Sequence, residues 1–342
     1  MSKADTTVIV TGGAGYIGSH VVVKLCEAGY TPVIVDNFYN SSPSVVGKLE
    51  MLTGIPVEVA ELDIRDAAGL GSLFARTKPV AVIHCAGLKA VGESVDHPVM
   101  YYEQNIGGTL NLLTQMDAAG CRQIVFSSSA TVYGEISAPP FREDANTGPT
   151  NPYGRTKLFI EEILRDWSAV GDGRSAVLLR YFNPIGAHNS GLIGESPKGV
   201  PNNLMPLILD VASGKRGELV VFGDDYDTPD GTGVRDYIHV EDLARGHVDA
   251  LVHTSKISGW ATFNLGTGKG ISVLDLISSF ERVTSQKVHY RIAARRPGDV
   301  AVSLADPSRA RDVLGWQTVL DVDRMCADSW RFRSGNQTSS ED

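Results

Sequence analysis

The sequence predicts an α/β protein: a doubly wound, parallel sheet followed by a smaller C-terminal domain. Three observations carry this expectation. The chain opens with a strand, a glycine turn and a helix over Thr6–Gly29. Short apolar runs then alternate with helical patterns as far as residue 183. From Pro184 the loops lengthen and the alternation becomes less regular.

The opening unit is the most specific of the three. Val8-Ile9-Val10 is short enough for a buried strand, and Gly12, Gly13, Gly15 and Gly18 follow it. Ile17, Val21 and Leu25 then recur every four residues on one side of a helix, which Gly29 can stop. The N-terminus of that helix turns unpaired N–H groups toward the glycines, where a pyrophosphate can sit. Gly12 permits the tight turn, Gly15 lets the backbone approach the phosphates, and Gly18 lets helix and strand pack closely. The spacing is G-x-x-G-x-x-G rather than G-x-G-x-x-G, so the motif takes its weight from context. A second apolar run, Pro32-Val33-Ile34-Val35, ends in Asp36, whose carboxylate can accept hydrogen bonds from an adenosine ribose. The same charge repels a 2′-phosphate, and no Arg or Lys lies between Thr31 and Pro43 to offset it. The cofactor expected is NAD rather than NADP.

The later elements repeat the pattern. Val57–Ala60 reads as a third strand, Ala67–Arg76 as a helix, and Val80–Ile83 as a fourth, buried strand. Residues 98–120 read as one long amphipathic helix, Ile124–Phe126 as a fifth strand, Leu158–Val170 as helix and Ala176–Leu179 as a sixth strand. Such a Rossmann-type sheet gathers its ligands at the carboxyl ends of the strands. Gly12, Asp36, Asp63, Ala86-Gly87, Ser127-Ser128-Ser129 and Tyr181-Phe182-Asn183 all fall there. Beyond Pro184 a helix is expected near 204–214, a strand over 219–222 and a helix near 240–254. The domains expected are 1–183 for NAD, with segments near 234–265 candidates to return to it, 184–333 as the smaller domain, and 334–342 as a frayed polar tail.

Composition narrows the classes. Over 342 residues, 42% hydrophobic content is ample for a core of this kind. A net charge of −9 and the lack of a Lys/Arg-rich run argue against nucleic acid as a partner. No apolar run approaches a membrane span, and MSKADTT holds no apolar signal segment, so the cytoplasm is the expected compartment. Cys26, Cys85, Cys121 and Cys326 are scattered without C-x-x-C spacing and are expected to be core thiols. The eight histidines show no paired metal-ligand spacing, so no metal is expected. Gly266-Thr267-Gly268-Lys269 resembles part of a phosphate loop, but Phe263 stands where that loop needs glycine.

The chemistry rests on Tyr153 and Lys157, four residues apart in NPYGRTK and so on one helix face. A phenol is a poor base at its usual pKa of about 10. A neighbouring ammonium lowers that pKa, and a cationic nicotinamide ring adds to the effect. Ser128 and Ser129 follow the fifth strand, and one of the two hydroxyls could hold a substrate oxygen as its proton moves. Together these groups form a base, its activating cation and a donor beside a hydride acceptor.

Longer strings carry a resemblance. TGGAGYIG, AGLKAVGESV (86–95), SSSATVYGE (127–135), NPYGRTK (151–157), LLRYFNPIGAH (178–188), PNNLMP (201–206) and DGTGVRDYIHVEDLA (230–244) are similar to the UDP-glucose (UDP-galactose) 4-epimerase family, within the extended short-chain dehydrogenases/reductases. The resemblance runs from about Val8 to Trp330. It implies Tyr153 as catalytic base and acid, Lys157 as its partner and ribose binder, and Ser129 as donor near the sugar 4-OH. It further implies that Gly12, Gly15, Tyr16, Ile17, Gly18, Asp36, Asn37, Asp63, Ile64, Ala86, Gly87, Lys89, Asn105 and Phe182 line NAD. Asn183, Asn203, Leu204, Phe222, Arg235, Arg296 and Asp299 would hold UDP in the smaller domain. The two arginines suit a diphosphate because their forked donors match its oxygens. A homodimer through helices near 98–120 and 155–170 is implied as well.

The activity so implied is interconversion of UDP-galactose and UDP-glucose: hydride leaves sugar C4, the 4-keto sugar rotates, and hydride returns to its other face. One departure is Gln104, where the family often has Asn, which leaves the nicotinamide-side contact open. The resemblance implies that Ser303 stands where a bulky Tyr would close the pocket to 2-acetamido sugars. Space for an N-acetyl group follows, and with it activity on UDP-GalNAc and UDP-GlcNAc. Three alternatives stand beside this. Another NAD-dependent nucleotide-sugar epimerase shares the strings. A 4,6-dehydratase commonly needs an Asp-Glu pair after the hydroxyl residue, where this chain has Ala130-Thr131. A silent NAD-binding regulator would have no reason to keep Tyr153, Lys157 and a serine together.

Overall fold

The computed structural model describes residues 6–199, 201, 203–296 and 299–338, with side chains as far as 335. Outside the described residues lie 1–5, Val200, Asn202 of the 201–206 string, Pro297 and Gly298 beside Arg296, and residues 339–342 of the expected tail.

The first half runs β1 (Thr7–Thr11), α1 (Tyr16–Glu27), β2 (Thr31–Asp36), α2 (Ser44–Thr53), β3 (Glu58–Glu61), α3 (Ala67–Thr77) and β4 (Ala81–His84). It continues through α4 (Val91–Asp96), α5 (Pro98–Tyr101), a π-helical turn (Tyr102–Gly107), α6 (Gly108–Ala119), β5 (Gln123–Ser127), α7 (Pro152–Ala169) and β6 (Ser175–Tyr181). The second half holds β7 (Asn183–Ile185), α8 (Leu204–Ala212), β8 (Leu219–Phe222), β9 (Val234–His239), α9 (Val240–Thr254) and β10 (Gly259–Leu265). It ends with β11 (Gly270–Ser272), α10 (Val273–Thr284), β12 (Tyr290–Ala293), β13 (Val302–Ser303) and α11 (Val322–Thr338).

Seven parallel strands form the main sheet in the order β10-β6-β5-β4-β1-β2-β3. The order reverses between β1 and β4, and this switch point opens a crevice at the carboxyl ends. Alternation along each strand feeds two cores. Val8, Val10, Ile34, Val125 and Val177 pack on one face with Val21 and Leu25 of α1 and Leu243 and Leu251 of α9. Ile9, Val33, Val82, Phe126 and Leu178 pack on the other with Leu73, Leu112, Met116 and Ile160. Thus α9 and β10 come back to the large sheet, β10 pairing with β6 from Gly259↔Ser175 to Leu265↔Tyr181. β9 instead joins a smaller sheet with β7, β11 and β13. There Ile208, Val221, Tyr237, Phe280 and Met325 make a third core.

Several local expectations change. Residues 98–120 are not one regular helix: the π turn inserts an extra residue and swings Asn105 inward to 2% exposure. The third strand starts one residue later, at Glu58. Ser334 does not open a frayed tail, because α11 continues to Thr338. Phe332 is buried there, Arg333 pairs with Asp210, and the Ser334 hydroxyl donates to the Trp330 carbonyl at 2.9 Å. The four cysteines are free thiols. Among the described residues no helix is long and apolar enough to cross a membrane, and no cluster of His, Cys, Asp or Glu is placed to hold a metal.

Candidate active site

The glycine turn sits at the switch point. Gly12 has φ +68°, where a side chain is strained, and a Cβ there would lie 2.8 Å from the Ala86 nitrogen. Gly18 is constrained by contact alone, since a Cβ would fall 2.1 Å from the Gly12 carbonyl. Helix α1 therefore rides directly on the turn, and Gly15 begins it with no side chain capping its end. Tyr16 donates to the Gly186 carbonyl at 2.7 Å, which ties the helix to the chain just after β7. Asp36 ends β2 only 8% exposed. Its carboxylate accepts from Ala14 N (3.0 Å), Phe38 N (2.9 Å) and the Ser41 hydroxyl (2.8 Å).

Asp63 lies beside it at the end of the next strand. It accepts from Arg65, from Asn37 Nδ2 at 3.0 Å and from Gln104 Nε2 at 3.4 Å. The Arg65 bonds, aided by these amides, hold its carboxyl well below the usual range. Gln104 thus faces Asp63, while its neighbour Asn105 faces the other way. The Asn105 amide accepts from Leu88 N at 2.8 Å and donates to Leu88 O at 3.1 Å and Thr156 Oγ1 at 3.0 Å. All three bonds go to protein, so Asn105 shapes the Ala86–Lys89 loop rather than presenting a free amide. A buried relay supports it. Thr109 donates to the Asn105 carbonyl, so His84 Nε2 donates to Thr109 and His84 Nδ1 accepts from Thr11. Burial pulls His84 down to about 3, which keeps the ring neutral.

Tyr153 and Lys157 project from the first turns of α7. Asn151 caps this helix by accepting from Gly154 N at 2.9 Å, and Pro152 opens it. Both side chains are nearly buried, at 7% and 5% exposure. Lys157 Nζ donates to the Ser127 carbonyl at 2.7 Å and stands 5.9 Å from the centre of the Tyr153 ring. Burial pushes the phenol up to about 12, against a hydrogen bond from Ser129 that lowers it. Burial pulls the ammonium down to about 8. The three serines are not equivalent. Ser127 meets His247 Nε2 at 2.7 Å, and Ser128 donates to Glu161 at 2.5 Å. Only Ser129 faces Tyr153.

The residues expected to hold UDP lie in the second half of the chain, on the smaller sheet and on β8, which pairs with β12. Arg235 on β9 lies beside Ser303 on β13 in register, 3.9 Å from Asp299. The Arg296 guanidinium lies 4.5 Å over the Phe222 ring, which is 36% exposed. Asn183 begins β7, Leu204 begins α8, and Phe182 packs with Tyr133 and Phe141. Ile17 and Ile64 contribute to the two cores of the main sheet. Glu195 is a residue the sequence did not single out, for it lies in an irregular loop with no periodic signal. Lys89 Nζ reaches it at 3.0 Å and Asn203 Nδ2 at 2.8 Å, so it links the Ala86–Lys89 loop to the start of α8. The Gly266–Lys269 turn has a different office. Thr267 N and Gly268 N donate to the buried Asp236 carboxylate at 2.8 and 2.9 Å, so these amides are already engaged.

A doubly wound sheet with this turn and a Tyr–Lys–Ser site defines an extended short-chain dehydrogenase/reductase. Comparison with known proteins narrows the class. A family model described as GDP-mannose 4,6 dehydratase matches residues 9–329. UDP-glucose 4-epimerase of Mus musculus is 54% identical over 336 residues, covering 96% of this chain and 97% of the relative. That of Bacillus subtilis is 53% identical over 329 residues, covering 96% and 97%. The solved UDP-glucose 4-epimerase of Stenotrophomonas maltophila, with bound NAD and formylated UDP-arabinopyranose, superposes with TM-score 0.96 at 49% identity, covering 98% of this chain and 99% of that one. The enzyme from Bifidobacterium longum, in complex with NAD+ and UDP, gives 0.93 at 50%, covering 97% and 99%. The chain belongs to the UDP-glucose 4-epimerase family.

The Asn105 geometry carries a consequence for stability. Asn105→Ala strands the Leu88 amide and carbonyl inside the crevice, and should cost about 2–4 kcal/mol. Chemical denaturation checks this: a midpoint equal to the native protein's would mean that these bonds are replaced by solvent.

Proposed function

We propose that the protein interconverts UDP-galactose and UDP-glucose with NAD retained in the site throughout. The observation that carries this is the meeting of Tyr153, Lys157 and Ser129 beside the glycine turn, in a chain about half identical to UDP-glucose 4-epimerases along nearly its whole length. The residues present fit NAD. No side chain caps α1, so its first N–H groups are open to a pyrophosphate. The Asp36 carboxylate accepts three bonds of about four it can take, which leaves room for a ribose hydroxyl. When bound, NAD supplies a hydride acceptor and donor at its nicotinamide ring.

The chain's own residues do the rest. Tyr153 as phenolate takes the proton of the sugar 4-OH and later returns it. Lys157 stabilises that phenolate, and Ser129 holds the oxygen between them. Gly12, Gly15, Tyr16, Ile17, Gly18, Asp36, Asn37, Asp63, Ile64, Ala86, Gly87, Lys89, Asn105 and Phe182 surround the cofactor, some by contact and some, like Asn105, by shaping a loop. Asn183, Asn203, Leu204, Phe222, Arg235, Arg296 and Asp299 anchor UDP while the keto sugar turns. Dehydratase chemistry lacks its acid–base pair: Ala130 and Thr131 follow Ser129, and the Thr131 hydroxyl donates to Ser129 at 2.9 Å. The protein works as a cytoplasmic homodimer. Val99, Leu110 and Phe159 are exposed on the 98–120 and 155–170 helices, an apolar face suited to a second copy.

UDP-galactose incubated with the purified protein, without added NAD, should yield UDP-glucose. Tyr153→Phe should retain NAD yet lose about 10²–10⁴-fold in turnover, the usual worth of a positioned general base. Near-normal turnover by that variant would remove Tyr153 from the chemistry.

Ser303 governs the substrate's 2-position in this reading. It is half-buried and small, and it stands in register with Arg235. The native protein should turn over UDP-GalNAc beside UDP-galactose, and Ser303→Tyr should lose the acetamido sugar alone. A native protein inert toward UDP-GalNAc would close the argument against it.

A further inference from the structure

We propose that Ser128 and the buried Glu161–Arg180 pair form a clamp that sets Ser129 and Tyr153 in register for proton transfer. The inference rests on Tyr153 being the base. Three successive turns of α7 present Tyr153, Lys157 and Glu161 on one face, and each meets the end of β5. Tyr153 meets Ser129, Lys157 donates to the Ser127 carbonyl, and Glu161 accepts from the Ser128 hydroxyl. Glu161 and Ser128 are fully buried. Arg180, on the neighbouring strand β6, closes the arrangement with a fork: Nε to Glu161 Oε1 at 2.9 Å and NH2 to Oε2 at 2.6 Å. Its remaining arm donates to the Glu143 carbonyl at 3.1 Å, and the guanidinium carbon lies 4.9 Å from the Tyr133 ring centre.

Removing two charges from water is costly, so an ion pair is a poor way to fill a core. What such a fork supplies is geometry: a planar guanidinium fixes a carboxylate in two directions at once. Here the fixed carboxylate grips the residue before Ser129. The backbone on both sides of Ser129 is then determined, since Thr131 N and Oγ1 also bond the Ser129 oxygen at 3.2 and 2.9 Å. Glu161 is fixed to the helix that carries Tyr153 eight residues earlier. The clamp thus sets both ends of the Ser129–Tyr153 hydrogen bond without touching substrate. Glu161 also lies one turn from Lys157 and favours its charged form.

The other ionisable groups facing the dyad are His84 at the end of β4, Cys85 just after it, Tyr181 from β6 and Tyr101 from α5. All four are held neutral by burial, and none is held by the clamp. A loosened clamp costs the phenolate its Ser129 bond, which lowers the phenol pKa. Its loss moves the base's apparent pKa upward.

The test is Ser128→Ala, which spares the Arg180–Glu161 fork. Rates are normalised to bound NAD, so partial folding cannot masquerade as slow chemistry. The expectation is a kcat lower by about tenfold to a hundredfold with KM for UDP-galactose within about twofold. The rising limb of the kcat–pH profile should move alkaline by about half a unit or more. Should Ser128→Ala yield no soluble protein, Arg180→Lys, which keeps the cation but loses the fork, carries the same expectation. An unchanged kcat, or a lower kcat with an unmoved pH limb, overturns the clamp. Tyr153→Phe run alongside separates the two readings. If it stays active the base assignment fails; if it is inactive while Ser128→Ala behaves as native, only the clamp fails.

Discussion

Helix α1 lies so close to the end of β1 that no side chain could stand between them. A methyl at Gly18 would sit 2.1 Å from the Gly12 carbonyl, and one at Gly12 would strike the backbone at Ala86. Steric exclusion at two positions therefore sets the distance between the helix N-terminus and the sheet edge. Three further features depend on that distance. The Ala14 amide reaches Asp36 on β2, Tyr16 reaches Gly186 near the smaller sheet, and the Ala86–Lys89 loop closes against the turn. Most of the remaining site is arranged around that edge because parallel strands end there together.

Burial works against the chemistry proposed for this edge. It drives the Tyr153 phenol to about 12 and the Lys157 ammonium to about 8, so both groups drift toward their neutral forms. At neutral pH a phenol so raised stays protonated. On the proposed reading Tyr153 is the base, so its surroundings must favour its charged form. The Ser129 bond already offsets part of that rise, and on the proposed reading a cationic ring beside the phenol favours the phenolate further.

Local and long-range features differed in how legible they were. The glycines, Asp36, Tyr153 and Lys157 stand out because their meaning lies in spacing within one turn or one strand–helix unit. The parallel sheet was legible for the same reason, as its strands alternate with helices in order. What stayed hidden depends on partners far along the chain. Glu195 gathers Lys89 and Asn203 from an irregular loop, and Glu161 meets Arg180 from another strand. Asn105 is expected near the cofactor, and the partners that hold its amide, Leu88 and Thr156, lie 17 and 51 residues away. The π turn that carries it inward has no sequence period of its own. The serine cluster could not be resolved by spacing either. His247 and Glu161, 120 and 33 residues away, decide which hydroxyl is left for the site.

The two ends of the proposed site are built for different kinds of holding. The nucleotide end, on the proposed reading, is met by Phe222, Arg235, Arg296 and Asp299, large or charged groups that fix orientation through a ring face and forked donors. On the same reading the sugar end is met by hydroxyls on small side chains, Ser129 and Ser303. A hexose that must present both faces in turn cannot be gripped tightly at its ring, or the second face would never be reached. Binding strength placed at the diphosphate leaves the ring free to rotate, while Ser129 and Tyr153 need meet only one oxygen. Precision is then demanded of two residues rather than a whole pocket, and the buried fork behind Ser128 lies where it can supply it.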